Sequence, residues 1–376
     1  MSIIKYALEY LFNKNLFKTG VEVINKKVYI YKFPVYQFKK DLKAKWGTTK
    51  IYHLYEFFFS RFSGNDYISF YEFFLPEMIY ILDNLPKRQL YKKTKELLYE
   101  NTWIANTEKD FPNRINYSKL QELTKTLLPH QYAFLKEYDQ KKQKYRLHGY
   151  LNAFATGFGK TITAIALMHC LEKDKIIVVA PNNTIYSTWV NEIKSSFKLE
   201  QTIWTKENPI SNAKWYIINY ESMNKVIELA SKREFRGKNV GIIIDEIHHF
   251  RNKSTDRSQN ALKLKELTNC TDILPMSGTP IKALITEMIV FLKLLDPLFT
   301  DKVETIFRKT FNSSSSQLAD IAAVNSDLNI GNKGYDKLLF IFNAGSNYEK
   351  YGLKTSTFSY NYGSEKGYGI SDFSVL

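Results

Sequence analysis

A chain of 376 residues that is 44% hydrophobic and 24% charged has the length and apolar content for two or three packed domains of the ordinary soluble kind. Its formal net charge of +15 attracts polyanions, chiefly nucleic acid or an anionic membrane surface. Two isolated cysteines, Cys170 and Cys270, exclude a disulfide framework and a cysteine-based zinc site and fit a reducing, cytoplasmic or nuclear interior.

The N-terminal stretch MSIIKYALEYLFNKNLFKTG breaks its apolar residues with Lys and Glu, so it lacks a signal-peptide core. No run reaches the roughly 18 apolar residues of a membrane span, and even ISFYEFFLPEMIYIL carries two glutamates and a proline. No membrane partner is expected. Residues 1–120 form an accessory region of unassigned fold, mostly helical or α+β, in which the strand-like KKVYIYKF precedes the helical RQLYKKTKELLYENTWI. Lys39–Lys40, Lys87–Arg88 and Lys92 to Lys95 form basic clusters that suit a solvated helix face or a surface gripping DNA or protein. The 26 Tyr and 26 Phe, with abundant Lys, Asn and Ile, match an AT-rich genome and a viral or plasmid source, so no stacking role is read from them.

Over 121–300 the pattern changes. Short β-branched runs, KIIVVAP, KWYIINY and VGIIIDE, alternate with helical segments such as GKTITAIALMHCLEK and TIYSTWVNEIKSSF. Buried runs followed by amphipathic helices predict βαβ units around a parallel sheet, an α/β nucleotide-binding domain. Residues 301–376 begin with the helical KVETIFRKTF, then pass through NSSSSQ into a Gly-, Ser-, Asn- and Tyr-rich tail expected to pack loosely.

Two motifs carry the chemistry. In ATGFGKT, Gly157 and Gly159 let backbone N–H groups point at phosphate oxygens, and the following helix adds its positive end; Thr156 and Phe158 complete the loop. Lys160 is positioned to reach the β- and γ-phosphates of ATP, and the Thr161 hydroxyl to ligate Mg²⁺. The full phosphate-loop pattern asks for glycine at position 154, where this chain has Phe154. Downstream, VGIIIDE ends a buried strand on Asp245, a Mg²⁺ carboxylate, and Glu246, which would orient or deprotonate the attacking water. His248 and His249 have no partners at metal-ligand spacing, so zinc is not expected.

ATGFGKT followed by DEIH resembles the superfamily-two helicases and translocases. LLPHQ, VVAPNNTIYSTWVNEI, YIINYESM, DEIHHFRNKSTDRSQNALKL and the downstream MSGTPIKALITEMIVFLKLLDPLF follow in the order of the Swi/Snf-type branch. The resemblance covers about 121–311 and implies a RecA-like P-loop domain with a parallel sheet flanked by helices. It implies that Gln131 reads the adenine edge, although a helix-capping role suits that residue equally. It also implies that His248, Ser277, Gly278 and Thr279 couple the nucleotide to a nucleic-acid track, double-stranded DNA in this branch. Pro181, Asn182, Asn183, Thr184, Asn219 and Tyr220 would contact its phosphate backbone.

Members of this family join two RecA-like domains, the second supplying arginines worth roughly 10³ to 10⁵ in rate. After Pro297 no arginine-bearing motif or second run of βαβ units follows, and Arg308 is the last arginine. The expectation is an ATPase core that binds ATP but turns it over weakly alone, being a truncated product or one completed by a second chain. The alternative is an ATP-regulated nucleic-acid-binding subunit, a half-motor of a transcription or replication complex.

Overall fold

A computed structural model of the chain describes residues 19–46, 67–106, 110–278 and 285–311. The tail beyond 311, the N-terminal 18 residues and Thr279–Pro280 lie outside the described residues. Two compact units divide between residues 108 and 109, and the first takes up the chain again at residue 300.

The first unit is an antiparallel sheet with helices. Strands β1 (Gly20–Ile24) and β2 (Lys27–Tyr31) form a hairpin closed by Asn25 and Lys26. Both have positive φ, 51° and 62°, the backbone that a two-residue turn needs to match strand twist. Helix α1 (Val35–Trp46) follows, and β3 (Tyr67–Tyr71) then pairs with β2. α2 (Leu75–Asn84) and α3 (Arg88–Asn101) complete this stretch. Phe33, Phe38 and Tyr91 form one aromatic core, and the buried Tyr91 hydroxyl donates to Asp41 at 2.7 Å. The basic clusters of α1 and α3 keep Lys39, Lys40, Lys92 and Lys93 exposed.

The second unit is the parallel α/β domain foreseen from the alternating runs. Its elements are α4 (Pro129–Lys144), α5 (Lys160–Cys170), β4 (Lys175–Ala180), α6 (Asn191–Ser196) and β5 (Ile203–Trp204). β6 (Trp215–Asn219), α7 (Asn224–Ser231), β7 (Val240–Ile244), α8 (Asp256–Thr268), β8 (Asp272–Pro275) and α9 (Ile289–Leu295) follow. The sheet order is β5-β6-β4-β7-β8, all parallel, with every residue of β4 and β7 buried. Strands buried on both faces explain the uninterrupted IIVVA and GIII runs. This is a RecA-like α/β architecture, a parallel sheet flanked by helices. The last described helix, α10 (Asp301–Phe311), belongs to the first unit, where Phe307 packs edge-on against Phe73. Among the described residues, no helix is long and apolar enough to cross a membrane.

One feature of the sheet has no sequence motif. At the amino end of β8 the buried Asp272 carboxylate meets Lys142 at 2.9 Å, Lys173 at 2.5 Å and Arg114 at 3.3 Å. Arg114 also bonds Asp139 of α4 at 2.6 Å. Burial opposes ionisation of Asp272, but Lys142, then Lys173 and Arg114, outweigh it and hold the carboxyl down at about 2. The network fastens α4, the segment after α5 and the chain before α4 to β8, at the end of the sheet away from the phosphate loop.

Candidate active site

All the parallel strands deliver their carboxyl ends to one edge, where ligands of open α/β sheets bind. Residues 149–152 add a further parallel neighbour beyond β8 through bridges Gly149–Ile273 and Asn152–Met276. Gly149 runs so close to β8 that an added Cβ would lie 1.9 Å from the Ile273 carbonyl oxygen, so a side chain there would push the strand away. The candidate phosphate loop starts from this segment. Its turn uses Gly157 (φ 86°) and Gly159 (φ 76°), and Gly159 caps α5, whose first-turn N–H groups have no intrahelical partner.

The Lys160 ammonium folds over the loop, donating to the Phe154 carbonyl at 3.1 Å and to that of Ala155 at 3.4 Å. Phe154, the departure from the glycine pattern, is buried and packs edge-on against Phe134 and His130. Its ring anchors the loop's base while its carbonyl still serves Lys160. Thr156 is exposed, Phe158 keeps about half its surface exposed at 49%, and Thr161 is half-buried. Gln131 is buried with both polar atoms engaged: Oε1 accepts from the Leu128 N–H at 2.9 Å, and Nε2 donates to the Phe158 carbonyl at 3.3 Å. It caps α4 and braces the loop in one stroke; a Cβ on Gly159 would come within 2.2 Å of its Nε2.

Two strands away, the Asp245 N–H extends the ladder from β7 by donating to Val179 at 2.8 Å, so the acidic pair emerges at the sheet's edge. The Asp245 carboxylate accepts from the Trp189 indole N–H at 3.0 Å and from the Glu246 N–H at 3.1 Å. Burial raises its carboxyl above the ordinary range; the Trp189 and Glu246 donors and the Lys160 charge pull the other way. Glu246 has φ of 48°, a left-handed conformation that costs a non-glycine residue on the order of 1 kcal/mol and turns the chain sharply off the strand. Strain of this kind concentrates at functional sites.

The Glu246 carboxylate joins a three-way contact. Ser277 Oγ lies 3.2 Å from Glu246 Oε2, His248 Nδ1 lies 3.0 Å from the same oxygen, and Nδ1 and Oγ are 2.9 Å apart. All three contacts are satisfied when Nδ1 carries the proton and the serine donates to the carboxylate. Ser277 is fully buried, its N–H bonded to the Asn152 carbonyl at 3.2 Å. A Cβ on Gly278 would lie 3.6 Å from the Phe154 carbonyl and 3.9 Å from Thr156, so this residue sits against the phosphate loop. Thr279 lies outside the described residues.

The remaining candidates occupy the other half of the edge. Ala180 and Asn219 are register partners, so Pro181 to Thr184 and Asn219–Tyr220 leave neighbouring strands together, and the Asn219 amide donates to Asn182 at 3.2 Å. Asn182 and Asn183 are exposed; Pro181, Thr184 and Asn219 are half-buried. Tyr220 differs from its neighbours. It is buried, and its hydroxyl donates to the Asp245 carbonyl at 2.7 Å, so the side chain faces the acidic pair instead of the surface. Trp189, within the π-helical turn Ile185–Val190, was not identified from the sequence as a site residue; a tryptophan in a helical pattern reads as core, and it is also that, fully buried.

Thr161 and Asp245 carry the hard oxygen donors that Mg²⁺ takes, and the lysine-bearing loop that leads into Thr161 suits phosphates. Residues 124–282 match the family described as type III restriction enzyme, res subunit. Among solved structures the chain is similar to the SWI2/SNF2 ATPase core of Sulfolobus solfataricus in complex with double-stranded DNA, at 17% identity over 63% of this chain and 45% of that one, with a TM-score of 0.44. It is also similar to the Hef helicase domain of Pyrococcus furiosus, at 17% identity over 48% of this chain and 37% of that one, with a TM-score of 0.36. The chain thus spans less than half the length of either structure. No curated protein matches it.

Proposed function

We propose, from the premise that residues 124–282 are a superfamily-two helicase-like ATPase domain, that the chain is the ATP-hydrolysing core of a nucleic-acid-dependent translocase of the Swi/Snf-like kind. A second RecA-like domain, in the same polypeptide or another, would complete its site. The observation that carries this reading is the division of one sheet edge. Lys160, Asp245, Glu246 and Ser277 gather on one half, and loops 181–184 and 219–220 on the other.

In the proposed reaction, Gly157, Gly159 and the first turn of α5 cradle the phosphates, and Lys160 leaves the loop carbonyls for the phosphate oxygens. Thr161 and Asp245 would hold Mg²⁺, which would supply positive charge to offset that of the phosphates. Glu246 accepts a proton from the water that attacks the γ-phosphorus, as the bond to the ADP oxygen breaks. Ser277 and His248 fix the Glu246 carboxylate from behind. Loops 181–184 and 219–220 offer amides, a hydroxyl and backbone N–H groups to a phosphodiester strand, and the net positive charge assists. Duplex DNA is the track proposed.

Turnover measured with duplex DNA, single-stranded DNA and RNA tests the reading, at low and moderate salt. Duplex DNA is expected to stimulate phosphate release most, with the effect shrinking as salt rises. ATP binding without stimulation by any nucleic acid would favour the alternative of an ATP-regulated binding subunit.

A further inference from the structure

Asp245 is gripped from two sides by residues that the chemistry itself does not use. The Trp189 indole N–H donates to its carboxylate at 3.0 Å, and the Tyr220 hydroxyl donates to its main-chain carbonyl at 2.7 Å. Each residue is tied to one of the two loops at the far half of the sheet edge. Trp189 lies in the π-helical turn Ile185–Val190 that continues directly from Pro181 to Thr184, and Tyr220 directly follows Asn219. The loops are bonded to each other through Asn219 and Asn182. Both residues are buried, so neither bond is weakened by competing water. A π-turn adds a residue to the helix circuit and recurs at functional positions; here it carries the indole whose N–H reaches Asp245.

We propose that Trp189 and Tyr220 are positioning residues that transmit nucleic-acid contact at loops 181–184 and 219–220 to the metal-holding carboxylate of Asp245. This rests on the ATPase reading above and adds the route of coupling. A shift of either loop moves a donor of Asp245; the indole holds one carboxylate oxygen and the Glu246 N–H the other, so moving the indole turns the carboxylate. The Ser277 contact acts on Glu246, the water-activating residue; this second route acts on Asp245.

The test uses the full chain, a fluorescent ATP analogue and Mg²⁺ titrations with and without duplex DNA. Wild type is expected to need several-fold less Mg²⁺ for half-maximal nucleotide binding when DNA is present. Trp189→Phe and Tyr220→Phe each remove one donor and keep most of the ring. Each is expected to raise the Mg²⁺ requirement about ten-fold and to abolish its shift by DNA, with nucleotide affinity in EDTA changed less than about two-fold, a ten-fold change being ~1.4 kcal/mol. Benzothienylalanine at position 189 keeps the shape of the indole without its N–H and should behave as Trp189→Phe does, which separates the bond from packing. An unchanged Mg²⁺ requirement, or a DNA shift preserved in both variants, overturns the proposal. Wild-type nucleotide binding indifferent to Mg²⁺ overturns the ATPase reading itself, a different result from the first.

Discussion

Ser277 Oγ stands 3.2 Å from the Glu246 carboxylate, joining the second residue beyond β8 to the residue proposed to activate water. Ser277 also takes its place from the phosphate-loop side, through its N–H on the Asn152 carbonyl. A displacement of either partner therefore reorients Glu246. Ser277→Ala removes the hydroxyl and leaves the backbone bonds in place. The expected outcome is unchanged ATP affinity and a roughly ten-fold fall in nucleic-acid-stimulated turnover, about 1.4 kcal/mol on the barrier. Stopped-flow phosphate release on Ser277→Ala checks it, and stimulation at the wild-type level would remove Ser277 from the coupling.

Glu246→Gln keeps size and loses the base. Turnover should fall by about 10² to 10⁴, the usual contribution of a general base, with ATP still bound. Wild-type turnover in this variant would deny Glu246 its role.

The candidate site was legible in the sequence where it depends on local order: a glycine loop running into a helix and a carboxylate pair ending a buried strand are both contiguous. The parallel sheet was legible for the same reason, since strands buried on both faces leave unbroken apolar runs such as IIVVA. Trp189 and the inward turn of Tyr220 were not, because a bond between residues 56 or 25 positions apart leaves no spacing to read. Gln131 left two readings open, cap and adenine contact; its present bonds are those of a cap, and they also brace the loop. The charge network has no such signal, because an arginine, two lysines and an aspartate scattered from 114 to 272 look like surface residues until the fold gathers them.

That network makes a stability prediction. The Asp272 carboxyl is lowered in the folded state, to about 2 against an ordinary 3.8, so the unfolded chain binds the proton more readily. Its contribution, on the order of 2 kcal/mol, is complete above the unfolded value and is lost as pH falls through the folded one, between about pH 4 and 2. Asp272→Asn leaves Lys142 and Lys173 buried without their counter-charge and should destabilise the second unit by about 3–5 kcal/mol at neutral pH. Urea unfolding at pH 7 checks the size. The acid dependence between pH 4 and 2 should flatten in the variant, and a curve parallel to wild type would contradict the assignment.

The central claim is that the loop around Lys160 holds the phosphates of a nucleotide. Equilibrium titration of a fluorescent ATP analogue in Mg²⁺ against wild type and Lys160→Ala tests it most directly, with circular dichroism confirming that both are folded. Saturable binding by wild type and its loss in Lys160→Ala is the result expected. Equal binding by the two proteins, or none by wild type, would contradict the account.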